Sequence, residues 1–307
     1  MRKPTFDPGL TQQVTGNLDR AINKDGSFNV ERHGTSWRNT HPYLHLINVG
    51  WPTFFGIVLG SYFIFNTVFA LFYFALGRGH IQGADMPTEM RRFLYDFFFS
   101  AHTLTTVGYG NFAPVTVAAN FIAAFEALVG LLGFALATGL LFGRVSRPSA
   151  KIGYSDNLLV APYDERTSLQ FRIVNLRSNV LIELNASVML MTVESGQRKF
   201  QVLNLERNNI YFFPLTWTVV HPIDESSPMW GMTAEKLAIL QAEILILIKG
   251  FDDTFSQTVN SRYSYRFDEM AWNAKFSPAF HIDDQGRMVL DVDNVSKFSP
   301  LERSANA

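Results

Sequence analysis

Arg92-Phe93-Leu94-Tyr95-Asp96-Phe97-Phe98-Phe99-Ser100-Ala101 leads through His102-Thr103-Leu104 into Thr105-Thr106-Val107-Gly108-Tyr109-Gly110. The first ten residues are apolar and aromatic. They are too few to cross a bilayer core, which takes about 20 helical residues. They are also too apolar for an exposed loop. A re-entrant half-helix shielded by protein fits both facts. The turn that follows carries two glycines, Gly108 and Gly110, which accept dihedrals that a Cβ resists.

Working outward, residues 49–76 carry no charge, and residues 115–142 carry one, Glu126. Each stretch is long enough to span a bilayer as a helix. The first starts too far in, and is too long, for a signal peptide. Residues 41–49 predict a short interfacial helix. Pro42 suits a first helical position, Tyr43, Leu44 and Ile47 share a side, and Trp37 and Trp51 bracket it. His41 and His45, at i and i+4, are read as helix-surface histidines because no third metal ligand is near. Arg32 and Arg38 precede the first span, and Arg144, Arg147 and Lys151 follow the second. The loop between has Arg78, Arg91 and Arg92 against Asp85 and Glu89. This distribution favours both termini in the cytoplasm.

Past Lys151 the pattern becomes period two. Leu169, Phe171 and Ile173 alternate with Gln170 and Arg172. Residues 188–193 and 200–205 flank Glu194-Ser195-Gly196-Gln197, a hairpin signal. Residues 212–220, 243–248, 258–267 and a hairpin at Asp284-Gln285-Gly286 bring the expected count to about eight strands, with a short helix at 234–241. Short strands with turn punctuation predict a β-sandwich. The first 30 residues, rich in Thr, Asn, Gly and Asp, predict a mobile tail. The expected organisation is a flexible cytoplasmic tail over 1–35 and a slide helix with a transmembrane pore domain over 36–148. A cytoplasmic β-sandwich follows over 149–298, then a C-terminal tail over 299–307.

Composition agrees with two unlike halves. Charged residues make up 17% of the 307, below the roughly 25% typical of soluble domains. Net charge is −1, which leaves no basic excess for a nucleic-acid partner. The absence of Cys excludes disulfides, thiolate metal sites and a Cys nucleophile. No Gly-x-Ser-x-Gly or His-Glu-x-x-His is present, so no enzyme is expected and no cofactor.

Residues 105–110, after a re-entrant aromatic helix and between two spans, resemble the selectivity filter of potassium channels. In such a filter Thr106, Val107, Gly108, Tyr109 and Gly110 stack carbonyls toward an axis, where they replace the water shell of K⁺. One chain then supplies one quarter of the ring, so a homotetramer is expected, with K⁺ as the permeant ion. The chain further resembles the inward-rectifier potassium-channel family, most closely its bacterial members, over roughly residues 35–295. The resemblance rests on the filter, on Phe142-Gly143-Arg144-Val145-Ser146-Arg147-Pro148, and on His221-Pro222-Ile223-Asp224-Glu225-Ser226-Ser227-Pro228. Asn175-Leu176-Arg177 and the Arg262 to Trp272 segment add to it. It implies a slide helix, outer helix, pore helix, inner helix and an immunoglobulin-like cytoplasmic domain. The bacterial inner membrane is the expected location.

Ala127, Leu131, Phe134, Thr138 and Phe142 fall on one helical face. The resemblance implies that Leu131, Phe134 and Thr138 line the cavity and that Phe142 closes a hydrophobic gate. Gly130 and Gly139 take hinge positions by resemblance; close packing of small residues explains them equally. Glu183 and Asp253 match acids that ring the cytoplasmic pore. Arg144, Arg147 and Lys151 match the region that meets anionic lipids, although topology signalling also explains them. Ba²⁺, Mg²⁺ and polyamines are the candidate blockers, with weak polyamine or Mg²⁺ block because Phe134 stands where strong rectifiers carry an acid. The Glu–Arg pair that braces the filter in such relatives maps onto His102 and Phe112 and is absent. Glu126, the only inner-helix carboxylate, reads either as a functional intramembrane acid or, in the favoured reading, as a structural hydrogen-bond partner of His102 or Thr103 behind the filter; under both, Glu126→Gln is expected to alter filter stability or block. A membrane-tethered β-sandwich that binds a ligand or protein is the alternative reading; it leaves residues 105–110 unexplained.

Overall fold

A computed structural model describes residues 7–10, 19–34, 42–146 and 150–301. The chain forms two compact units: His33–Arg147, and Pro148–Ala307 together with Met1–Arg32. Trp37, Arg38, His41 and Arg147 lie outside the described residues.

The first unit is helical. α1 spans Pro42–Asn48, α2 Trp51–Leu76, α3 Glu89–Leu104 and α4 Val117–Val145. Pro52 in the first turn of α2 separates it from α1, since proline fixes φ and needs no helical N–H there. Gly77 ends α2 at φ 99°, a dihedral that favours glycine. The Thr116 side chain accepts from the Ala119 N–H at 3.3 Å and so caps α4. At about 1.5 Å per residue, α2 and α4 reach roughly 39 and 43 Å, enough to cross the hydrocarbon core with tilt. β1 (Ile81–Gln82) and β2 (Ala113–Pro114) form a small antiparallel ribbon. A compact core of Phe69, Tyr73, Ile81, Ala84, Phe99 and Ala119 holds α2, α3 and α4 around the loop they frame.

The second unit is a two-sheet sandwich. One sheet is ordered β11 (Gln257–Arg266), β10 (Glu243–Asp252), β6 (Leu181–Glu194), β7 (Gln197–Val202), with β8 (Asn209–Phe212) also on β6. The other is ordered β12 (Met270–Trp272), β4 (Leu158–Tyr163), β5 (Arg166–Asn175), β3 (Ile152–Tyr154), with β9 (Thr216–Ile223) also on β5. Leu169, Phe171, Ile173 and Val219 of one sheet meet Leu184, Val188, Ile246 and Tyr265 of the other in a single core. The turn between β6 and β7 is Ser195-Gly196, at φ 50° and 74°. Two central residues with positive φ match the right-handed twist of a hairpin. Four short strands complete the unit: β13 (Ala274–Phe276) pairs with β16 (Phe298–Pro300), and β14 (Phe280–Ile282) with β15 (Met288–Leu290). α5, Ala234–Ile239, is the short helix expected near 234–241.

One expectation changes. Residues 20–28, expected within a mobile tail, are anchored on the sandwich. Ala21 and Ile22 are buried with Met191, Phe200 and Leu245. The buried Glu243 carboxylate accepts the Ala21 N–H at 2.9 Å, and Ser264 Oγ donates to the Ile22 carbonyl at 2.7 Å. Arg20 and Lys24 both pair with Glu269. The polar composition that suggested mobility hides backbone groups satisfied by side chains far along the chain. Arg172, which alternates with the apolar Phe171 and Ile173, is itself buried: it donates to the Ser277 carbonyl at 2.8 Å and lies over the Phe276 ring. The short strands after β12 cover that face.

Candidate functional site

α3 delivers the chain into the turn at residues 105–110. The Thr105 N–H and hydroxyl both donate to the Ala101 carbonyl, at 3.3 and 2.6 Å. The Thr106 N–H donates to Thr103 O at 3.0 Å, and the Val107 N–H to His102 O at 2.9 Å. Thr106, Gly108 and Gly110 have φ of 57°, 54° and 82°, while Val107 and Tyr109 between them do not enter the positive region. A β-branched residue at positive φ is a true outlier, held here by the hydrogen bonds around it. Alternation of left-handed and ordinary φ is the pattern that turns successive carbonyls to one side. The C-terminal end of α3 brings partial negative charge to the same turn, which favours a cation.

Rings brace the turn at residues 105–110, and no ion pair joins His102 to Phe112. Tyr109 meets His102 edge-on at 4.8 Å, His102 stacks on Phe112 at 5.8 Å, and Phe112 meets Tyr95 at 5.6 Å. Glu126 does not bond His102 or Thr103. Its carboxyl meets the hydroxyls of Ser100 and, at 2.6 Å, Tyr73. The reason is its position: it faces α2 and the middle of α3, a turn short of residues 105–110. Tyr73, Asn66 and Ser100 carry no sequence signal that would have joined them to Glu126.

On α4, Leu131, Phe134 and Phe142 are 60%, 74% and 71% exposed, and Thr138 is exposed with them. The two candidate hinges differ. A Cβ on Gly130 would stand 2.0 Å from the Leu104 carbonyl oxygen, so this glycine lets α4 close on the end of α3. Gly139 meets nothing within 4 Å. α4 runs unbroken through both. At its end, a Cβ on Gly143 would meet Tyr43 Oη at 2.9 Å, which seats α1. Arg144 donates to the carbonyls of Leu46, Ile47 and Val49 at 2.6, 3.0 and 2.7 Å and lies over Trp51 and Phe54. Its terminal nitrogens therefore already serve carbonyls at the end of α1.

In the sandwich, Glu183 and Asp253 are exposed at the same end of one sheet. Glu183 follows Ile182, which pairs with Phe251, and the Asp253 N–H donates to Val180 O at 3.3 Å. Asp252 beside it is buried and structural. It accepts from Thr254 N and Phe255 N at 3.0 and 3.3 Å and from Asn179 Nδ2 at 2.8 Å. Lys151 is exposed just before β3.

Two spanning helices, a half-helix ending in an alternating-φ turn, and a β-sandwich unit define a two-span ion channel of the potassium type. Residues 152–306 match the model of the inward rectifier potassium channel C-terminal domain, and residues 54–147 match the ion channel model. Among similar proteins is the inward rectifier potassium channel Kirbac3.1 of Paramagnetospirillum magnetotacticum, 36% identical over 89% of this chain and 93% of that protein. The human G protein-activated inward rectifier potassium channel 2 is 24% identical over 87% of this chain and 69% of that protein. The bovine ATP-sensitive inward rectifier potassium channel 12 is 23% identical over 91% and 71%. The chain belongs to the inward rectifier potassium channel family. It is an integral membrane protein with two spans that conducts K⁺ passively, in a non-enzyme class. The tethered binding module is set aside.

Proposed function

We propose that four copies assemble around the filter turn and conduct K⁺ through Thr106, Val107, Gly108, Tyr109 and Gly110. The observation that carries this reading is the alternating φ of residues 106–110 at the C-terminal end of α3. The exposed stripe of Leu131, Phe134 and Thr138 lines the cavity, and four Phe142 rings form a hydrophobic gate that closes by dewetting. Gly139, free of packing contacts, is the hinge; Gly130 serves packing first. Glu183 and Asp253 line the cytoplasmic pore and concentrate cations before the gate. Both termini are cytoplasmic, in a bacterial inner membrane.

Anionic lipids modulate the gate through Lys151 and Arg147. Arg144 contributes through its hold on α1 more than through a free guanidinium. Ba²⁺ blocks at the filter, whereas Mg²⁺ and polyamines block weakly at Phe134 for want of a carboxylate.

The test is ⁸⁶Rb⁺ uptake driven by a K⁺ gradient into proteoliposomes. Uptake that Ba²⁺ stops and Na⁺ does not compete away supports the reading. No uptake from either wild type or Phe142→Ala, in membranes with and without anionic lipid, overturns it.

A further inference from the structure

One buried polar cluster in the pore unit has no part in conduction as described above. Asn66 and Tyr73 come from α2, Ser100 from α3 and Glu126 from α4. Asn66, Ser100 and Glu126 are each 0% exposed, and Tyr73 is 1%. No Lys, Arg or His among the described residues makes a hydrogen bond or ion pair with Glu126.

The hydrogen bonds can be counted proton by proton. Asn66 Nδ2 donates to Tyr62 O at 2.7 Å. A carbonyl only accepts, so this bond fixes the amide and aims Asn66 Oδ1 at Ser100. Ser100 Oγ lies 3.1 Å from Asn66 Oδ1 and also meets Glu126 Oε1. Ser100 has one proton, and both of these oxygens need a donor if Glu126 is a carboxylate. One buried acceptor would then stay unmet, and an unpaired charge would sit among apolar side chains, both costly. A protonated Glu126 removes the conflict. Its Oε1–H donates to Ser100 Oγ, Ser100 donates to Asn66 Oδ1, and Tyr73 Oη donates to Glu126 Oε2 at 2.6 Å. Each of the three O–H protons, of Glu126, Ser100 and Tyr73, then has one acceptor.

We propose that Glu126 is a neutral acid that clamps α3 to both spans, and so is a positioning residue for the filter. The clamp reaches the filter by a short path. Ser100 is two residues before His102, whose carbonyl accepts from the Val107 and Gly108 N–H groups. One turn beyond Glu126, Gly130 closes on Leu104 at the end of α3. The inference rests on the conduction reading above. It also revises the sequence expectation for Glu126→Gln: an amide keeps the wiring, its NH₂ donating to Ser100 and its oxygen accepting from Tyr73.

The test uses the full channel in proteoliposomes, with wild-type Ba²⁺-sensitive ⁸⁶Rb⁺ uptake as the control. Failure of that control would count against conduction and not against the clamp. Glu126→Gln is expected to keep Rb⁺-over-Na⁺ selectivity within about twofold. Tyr73→Phe and Ser100→Ala are expected to lower it, and Glu126→Leu to lower it about tenfold or more, the scale of a buried polar group left unpaired. Selectivity is a readout that general loss of folded protein does not move. In parallel, the infrared difference between wild type and Glu126→Gln should contain the carbonyl stretch of a protonated carboxyl. A carboxylate signature there, or a Glu126→Gln channel as unselective as Tyr73→Phe, would overturn the proposal. This spectrum decides the matter even if Glu126→Leu fails to assemble.

Discussion

The sandwich hides its apolar side chains, and the pore unit wears them. On β10, Ile244, Leu245, Ile246 and Ile248 are all buried. On α4, a helix of similar apolarity, the buried residues are Ala119 and Glu126. The same residue types therefore do different work. In the sandwich they drive a self-contained core, each buried aliphatic side chain worth about 1.5–3 kcal/mol. In the pore unit they match the solvent, because lipid is as apolar as leucine and gives little drive for helices to associate. There, close contacts at glycines and a few polar bonds decide which helix meets which.

The largest test of that contrast deletes similar groups from both regions. Leu184 on β6 is fully buried in the core between the sheets. Leu184→Ala should cost about 2–5 kcal/mol, read as a fall in the thermal midpoint of the purified channel. Phe142→Ala removes a bigger side chain from an exposed position and should leave that midpoint within the scatter of wild type. Its effect should appear instead as raised Rb⁺ uptake. Equal destabilisation by the two would break the comparison.

Next in size are the contacts that order the pore helices. Gly130→Ala drives a methyl into the Leu104 carbonyl and should cost about 1–3 kcal/mol through overpacking. Gly139→Ala meets no neighbour and should leave the fold intact while slowing opening. If both variants fold like wild type and both slow opening, Gly130 is a hinge and not a packing site. Arg144→Ala should cost about 2 kcal/mol, because three carbonyls at the end of α1 lose a charged donor. Limited proteolysis near residues 42–50 would detect the release of α1. Arg144→Lys should rescue only part of the loss, since one ammonium cannot reproduce the guanidinium fork.

What could be read from sequence follows the same division. The turn at residues 105–110 and both long helices were legible because they are contiguous: residues 105–110 form a motif, and 49–76 and 115–142 declare themselves by composition. The Ser195-Gly196 and Asp284-Gln285-Gly286 hairpins were legible for the same reason. Strand order was not, because β6 pairs with β10 some sixty residues away and no local pattern encodes that. The burial of Arg172 was not legible either, because its alternation with Phe171 and Ile173 says nothing of strands that arrive a hundred residues later. Residues 20–28 misled because their anchor is Glu243, an acid with no local cue. Glu126 was visible as an anomaly, but Tyr73 and Ser100 each sit in apolar helices where hydroxyls are common.

The smallest effect concerns a buried polar group in the sandwich, the counterpart of Glu126 in the pore unit. His221 on β9 is buried. Its Nδ1 lies 2.5 Å from the Asn204 carbonyl and must donate to it. Its Nε2 lies 2.7 Å from Ser227 Oγ, so a neutral ring accepts the serine proton there. Burial holds its pKa below the ordinary value of 6.5, against the hydrogen bond to Asn204 and the nearby Asp224. The folded state therefore binds a proton less readily than the unfolded chain. Stability from this group is complete above about pH 6.5 and falls as the pH drops toward the folded pKa. Asp224, itself held below its usual range by hydrogen bonds from Ser226, titrates further down and leaves this window to His221. Lowering the pH from about 7.5 to about 5.5 should lower the sandwich's thermal midpoint in wild type. In His221→Gln the midpoint at the higher pH should be lower and its pH slope shallower. An unchanged slope would assign the acid sensitivity elsewhere and leave His221 a purely steric part of the core.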